Sequence, residues 1–160
     1  MPLLKVLDCC PKSLRRRYKF TRSGNAEFYT PTASDETMLV QVPPHVRDDL
    51  FMHQNQTDQL LAVRGSFVLV ILRDHHYEYI PLSDQIPTVV TIPPGVYHGA
   101  LSFSDEPCIV VNAVIRHGEA MEADYEPIKP PVPYDLEAAQ LALDQLKSKA
   151  IAEAKIIAGV

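Results

Sequence analysis

Two histidines stand where the chain has little freedom, and imidazole is the side chain whose ordinary pKa lies nearest neutrality. His98 lies in the stretch Ile92-Pro93-Pro94-Gly95-Val96-Tyr97-His98-Gly99, after the alternating apolar run from Thr88 to Ile92. Proline cannot donate to a sheet ladder and glycine takes turn dihedrals that other residues resist. The strand must therefore stop, turn sharply and restart at His98. A turn this constrained aims its imidazole as a general base, a metal ligand or a hydrogen-bonding group for a ligand. The alternative is a capped turn with a surface histidine. His53 ends the short apolar run Leu50-Phe51-Met52-His53, about 45 residues earlier, with Gly65 between the two. In a twisted β-barrel, strands that far apart in sequence lie side by side and point into one mouth.

The elements that must position these groups are short strands. Thr37 to Val42 reads as a strand stopped by Pro43-Pro44, and a polar stretch, Gln54 to Gln59, follows His53. Leu60 to Val63, Phe67 to Leu72, Tyr77 to Ile80, Val89 to Ile92, His98 to Phe103 and Cys108 to Ile115 come next, divided by Arg64-Gly65-Ser66 and Arg73-Asp74-His75-His76. Before them, Tyr18, Phe20, Phe28 and Tyr29 fit a hairpin around Ser23-Gly24-Asn25. Eight or nine short strands with Gly, Pro and Asp punctuation predict an all-β sandwich or barrel. The tail differs: Pro127, Pro130, Pro131 and Pro133 make an extended strap. Asp135 is an N-cap for a helix to about residue 157, with an apolar stripe at Leu136, Ala139, Leu143, Leu146, Ala150, Ala154 and Ile157. The expected division is residues 1–126 for the β domain with its N-terminal hairpin and 127–160 for the strap and C-terminal helix.

Composition narrows the function. The chain has 160 residues, enough for one domain with its own core, and is 46% hydrophobic and 22% charged. A net charge of −5 argues against a broad nucleic-acid surface. The local basic cluster Leu14-Arg15-Arg16-Arg17-Tyr18-Lys19 reads as a solvated segment or as a phosphate contact at a subunit boundary. No apolar run reaches the ~20 residues that span a bilayer, and Met1 to Asp8 is too short a run for a signal peptide, so the expectation is a cytoplasmic protein without a membrane partner. Cys9 and Cys10 are adjacent and diverge, and Cys108 sits in an apolar strand pattern as a small core residue, so no disulfide framework is expected. His45, His75, His76 and His117 read as structural or exposed, and Tyr77 and Tyr79 as a sheet surface or dimer contact.

Pro93-Pro94-Gly95-Val96-Tyr97-His98 matches the second motif of the cupin superfamily, Pro-x-Gly-x-x-His, without a gap. The first motif, His-x-His, an acid and a glycine, matches in part through His53-Gln54-Asn55, Asp58 or Gln59, and Gly65. Over roughly residues 37–116 the chain resembles a cupin, which implies a small single jelly-roll β-barrel. Within cupins, Ile92 to Leu101 is similar to the corresponding segment of the dTDP-4-dehydrorhamnose 3,5-epimerases. His53-Gln54-Asn55, Gln59-Leu60-Leu61, Gly65-Ser66 and Asp124-Tyr125 look like the dTDP-sugar 3,4-ketoisomerases. The resemblance implies His53 as the base that removes a proton beside a sugar ketone, and His98 as the second-motif histidine, with His98 or Tyr97 as proton donor or oxygen contact. Gln54, Asn55, Gln59 and Asn112 are then candidates to bind the sugar, with Arg64 or Arg73 for the diphosphate. Two departures stand out. Asn55 replaces the second histidine of the motif, and Asp58 occupies the place of a lysine that steadies the enolate.

The resemblance implies no cofactor, a nucleotide sugar or other carbohydrate as the partner, and a homodimer. A metal, if one binds, would use His53, Gln59 and His98, although amides are weak ligands. Three functions remain open: a sugar-nucleotide epimerase or ketoisomerase, a catalytically silent carbohydrate-binding cupin, and a metal-dependent cupin enzyme.

Overall fold

The computed structural model describes residues 33–158 in full and, before them, the backbone of three strands, 14–17, 20–23 and 26–29. Cys9, Cys10, Tyr18, Lys19 and the Gly24-Asn25 turn lie outside the described residues. The strands run in order β1 (Leu14–Arg17), β2 (Phe20–Ser23), β3 (Ala26–Tyr29), β4 (Glu36–Val42), β5 (Gln56–Arg64), β6 (Ser66–Arg73), β7 (His76–Ser83), β8 (Thr88–Ile92), β9 (Tyr97–Leu101) and β10 (Cys108–Arg116). A 3₁₀ turn, Glu122–Tyr125, and one helix, α1 (Leu136–Ala158), follow. Every strand pair is antiparallel. One sheet has the order β1-β8-β5-β10-β4, a second β7-β6-β9, and β2 pairs with β3.

The five- and three-stranded sheets face each other across the main core. Phe67, Leu69 and Ile71 of β6 meet Val90 and Ile92 of β8, Ala62 of β5 and Val110 of β10. The intervening residues of β6, Val68 and Val70, point the other way and pack under Ala139 and Leu143 of α1. Burial on both faces explains why Phe67 to Leu72 is continuously apolar rather than alternating. The chain is thus mostly β-sheet with one C-terminal helix, as expected. The hydrogen bonds among the described residues do not close the two large sheets into a ring.

Turns follow local chemistry. Asp74 and His75 both take positive φ, 48° and 63°, in a two-residue hairpin between Arg73 and His76. Gly65, at φ 81°, carries the chain from β5 into the other sheet, and Gly95, at φ 78°, makes the turn before β9. Two expectations shift. The run Leu50 to His53 is not a strand; it forms single bridges, Leu50 to Ile128 and Phe51 to His98. The polar residues Gln56 to Gln59, expected to precede a strand beginning at Leu60, are the buried start of β5.

Asp135 caps α1, its Oδ1 accepting the Ala138 N–H at 2.9 Å. Tyr79 Oη accepts the Asp135 N–H at 2.6 Å, and the Tyr77 hydroxyl donates to the Val132 carbonyl at 2.7 Å. These tyrosines therefore fasten the strap and helix, where a sheet surface or dimer contact was expected. Only the first half of the apolar stripe is covered; Ile156 and Ile157 are 78% and 86% exposed. Asp135→Ala should lower stability by about 1 kcal/mol, the usual cost of a lost N-cap, as a reduced midpoint in urea unfolding. An unchanged midpoint would show that the Tyr79 contact and packing alone fix the helix start. No helix among the described residues is long and apolar enough to cross a membrane.

Candidate active site

The two histidines are brought together by backbone pairing. Phe51 and His98 exchange both N–H···O bonds at 2.8 Å, and the Gly95 N–H donates to the His53 carbonyl at 2.8 Å. The Pro-Pro-Gly turn and the segment carrying His53 are thereby laced into one unit. Asp58 faces Ile92, the last residue before that turn, across the β5–β8 ladder. The result is a three-membered centre. His53 Nε2 and His98 Nε2 each lie 3.5 Å from Asp58 Oδ2, with the imidazole centroids 5.4 Å apart.

Asp58 is only 2% exposed. Its Oδ1 accepts from Gln56 Nε2 at 2.7 Å and from Asn112 Nδ2 at 2.9 Å, while Asn112 Oδ1 takes the Gln59 N–H at 3.1 Å. The other carboxylate oxygen is left for the imidazoles. His98 Nδ1 donates to the Val96 carbonyl at 2.9 Å, since a carbonyl can only accept. That bond fixes the tautomer and turns the Nε2 lone pair of neutral His98 toward Asp58. Burial holds the His98 pKa below its ordinary value, against the opposing effects of the Val96 bond and the Asp58 charge. His53 Nδ1 is buried and meets no hydrogen-bond partner among the described residues.

The centre lines a cavity of about 310 Å³ between the sheets. Its apolar wall includes Val42, Val110, Phe67 and Leu69, and Met38, Arg116 and Tyr125 also line it. Among the described residues lining the cavity, Arg116 is the single lysine or arginine. Its guanidinium is engaged: Nε and Nη2 donate to the two oxygens of Glu36 at 3.0 and 2.8 Å, and Nη1 donates to Gln56 Oε1. The Glu36 bond raises the Arg116 pKa further. A chain of contacts thus runs from Glu36 through Arg116 and Gln56 to Asp58. Beside the mouth, buried Asp124 accepts the Gln54 N–H at 3.0 Å and ties the His53 segment to the turn carrying Tyr125.

The structure brings His53, His98 and Asn112 to one place, but Asn112 spends its amide on Asp58 and Gln59. The other expected contacts lie elsewhere. Gln59 points to the opposite face of β5 and donates to Ala33 and Ala113 carbonyls at 2.8 and 3.1 Å. Successive strand residues face opposite ways, so the residue completing the histidine pair is Asp58, and the metal set expected with Gln59 changes accordingly. Gln54 is exposed, and Asn55 Nδ2 donates to the Glu119 carbonyl at 2.9 Å. Tyr97 and Arg64 are absent from the cavity wall, Arg64 being exposed at the far end of β5, about 20 Å along the strand from Asp58. Arg73 stands at the β6–β7 hairpin beside Asp74. Sequence reasoning missed Gln56, Arg116 and Glu36, and the tyrosine lining the cavity is Tyr125 rather than Tyr97. Cys108 is a buried core residue as expected, its thiol pushed up to about 11 by burial.

The fold is that of the cupin-type sugar-nucleotide epimerases and ketoisomerases. Three solved structures illustrate it. A dTDP sugar isomerase from Desulfovibrio desulfuricans matches with a TM-score of 0.61 at 19% identity, over 89% of this chain and 99% of that one. A mutant of the 3,4-ketoisomerase QdtA from Thermoanaerobacterium thermosaccharolyticum, in complex with TDP-4-keto-6-deoxyglucose, matches at 0.60 and 14%, over 87% and 96%. The rmlC epimerase of Mycobacterium tuberculosis matches at 0.55 and 16% over 69% of this chain, which spans 66% of that protein. No protein-family model and no curated protein matches the sequence. At such identities the likeness is one of fold.

Proposed function

We propose that the protein is a sugar-nucleotide epimerase or ketoisomerase on a jelly-roll cupin scaffold, acting on a 4-keto-6-deoxy sugar linked to a nucleoside diphosphate. The observation that carries this reading is the convergence of two imidazole nitrogens on one buried carboxylate in the wall of a cavity. Enolisation needs a base of moderate pKa in a dry pocket. His53 is that base: a proton taken on Nε2 comes to rest beside the Asp58 carboxylate, which stabilises the imidazolium. At 3.5 Å both imidazole nitrogens lie within ion-pair range of Asp58 Oδ2. About 310 Å³ is at the low end for a small-molecule site and suits a sugar ring, with the nucleotide across the mouth near Met38, Arg116 and Tyr125. The solved ketoisomerase with TDP-4-keto-6-deoxyglucose supports the substrate class. A homodimer in the cytoplasm belongs to the same reading.

One observation favours a second reading, a catalytically silent carbohydrate-binding cupin. The cavity's arginine is committed to Glu36 and Gln56, so among the described residues lining the cavity no lysine or arginine is left to meet an enolate oxygen. Incubation with a dTDP-4-keto-6-deoxyhexose in deuterated water separates the two. Deuterium entering beside the ketone, and lost in His53→Ala, is the expected result. Ligand binding without exchange at high enzyme concentration would establish the silent form.

A further inference from the structure

We propose that Asp48 is a specificity-determining residue of the cavity: its carboxylate accepts from hydroxyl groups of the bound sugar ring and turns away rings that carry a carboxylate of their own. Asp48 lines the same cavity as His53 and His98 but belongs to neither the histidine centre nor its hydrogen-bond network. The sugar is the one required by the nucleotide-sugar reading, on which this role for Asp48 rests.

Backbone pairing fixes where that carboxyl stands. The segment from Arg47 to Phe51 runs antiparallel beside β9, with Arg47 bridged to Leu101 and Phe51 to His98. The Asp48 N–H donates to the Ala100 carbonyl at 2.9 Å, and the Tyr134 hydroxyl donates to the Asp48 carbonyl at 2.8 Å. His98 and Ala100 lie on one face of β9, and both line the cavity. Asp48 therefore meets the cavity roughly 6–7 Å along the strand from His98. That is the scale of a pyranose ring with its substituents, so a ring seated at the histidines can present a hydroxyl to the carboxyl. Asp49 points elsewhere, its carboxylate paired with Lys129 at 2.9 Å.

The Asp48 carboxyl is open to a ligand. It takes the N–H of Asp49, and among the described residues no side chain hydrogen-bonds to it. Partial burial raises its pKa from the ordinary value; the Asp49 N–H bond lowers it and the Asp49 charge raises it. An ionised carboxylate only accepts hydrogen bonds, and such charge-assisted bonds are roughly twice as strong as neutral ones. A sugar hydroxyl donates to it, whereas a sugar carboxylate meets a like charge. Nothing in the described wall offsets that repulsion, because Asp58 is a second carboxylate there and Arg116 is already paired with Glu36. The diphosphate escapes it by lying across the mouth.

The test is calorimetric titration of the full chain with dTDP-glucose, with dTDP-glucuronic acid and with dTDP alone. The two sugar nucleotides differ only in a hydroxymethyl group against a carboxylate. The parent should prefer dTDP-glucose to the acid, and in the nearly isosteric Asp48→Asn that preference should shrink about tenfold. Asp48→Ala should bind dTDP-glucose about tenfold more weakly, the loss of one hydrogen bond to a charged group. Both variants should bind dTDP no more weakly than the parent, and Asp49→Asn should match the parent with all three. An unchanged preference in Asp48→Asn would overturn the assignment. So would dTDP affinity falling together with sugar affinity, the mark of a structural role. If the parent binds neither sugar nucleotide, the nucleotide-sugar reading falls and takes this role with it. If parent and Asp48 variants bind both alike, that reading stands and the role of Asp48 falls.

Discussion

Asp58→Asn should keep the fold and lower deuterium exchange by about 100-fold or more, within the range that a positioned acid–base group contributes. The substitution is nearly isosteric at a residue only 2% exposed. Its side-chain oxygen can still accept from Gln56 and Asn112, replacing the bonds now made at 2.7 and 2.9 Å. Its NH₂ then takes the place of Oδ2 and can donate to an imidazole lone pair. Packing and hydrogen bonding are conserved, so thermal unfolding should stay within about 1 kcal/mol of the parent. The charge is what disappears. An imidazolium formed on His53 loses its counter-ion in a buried site, where that contact counts most. Exchange by NMR and unfolding by calorimetry check the two halves separately. Parent-like exchange would remove the carboxylate from the mechanism. A collapsed fold would show that Asp58 is chiefly structural.

The turn that aims His98 is legible because it is written in backbone chemistry: two prolines and a glycine fix it with little help from the rest of the chain. The strand at Cys108–Arg116 and the start of the helix at Asp135 are legible for similar local reasons, an alternating pattern and a cap. Asp58 is harder. It belongs to the run Gln56-Thr57-Asp58-Gln59, whose four side chains are all buried although all are polar. Hydropathy marks such a run as loop. Most of its partners lie far along the chain, Asn112, His117 and Arg116 being 53 to 60 residues away. The choice between Asp58 and Gln59 turns on the phase of β5. Leu60 and Ala62 lie on the cavity side of the strand with Asp58, but Leu61 and Val63 are apolar as well, so alternation leaves the phase undetermined. The separation of the two large sheets is likewise a matter of long-range pairing.

Gly99→Ala should be among the most destabilising small substitutions in the chain, by about 1–3 kcal/mol and near the upper end of that range. A Cβ at Gly99 would sit 2.7 Å from the Asp49 carbonyl oxygen and 3.5 Å from Leu50 Cδ2. The carbonyl cannot simply move aside. Its segment is held on one side by Asp48 N–H to the Ala100 carbonyl at 2.9 Å and on the other by the paired bonds between Phe51 and His98 at 2.8 Å. It is also bridged from outside by Leu50 and Ile128. Any shift that admits the methyl group therefore moves the backbone leading to His53 away from the backbone of His98. A domain of this size loses roughly 2–4 °C per kcal/mol, so a fall of several degrees in melting temperature is expected together with weakened exchange. Gly95→Ala makes the useful contrast, because nothing lies within 4 Å of its added Cβ and the cost there comes from φ of 78° alone. Its melting temperature should fall less. Equal losses would mean that β9 and the Asp49 segment give way freely, and that the two histidines are not held by the close approach of their backbones.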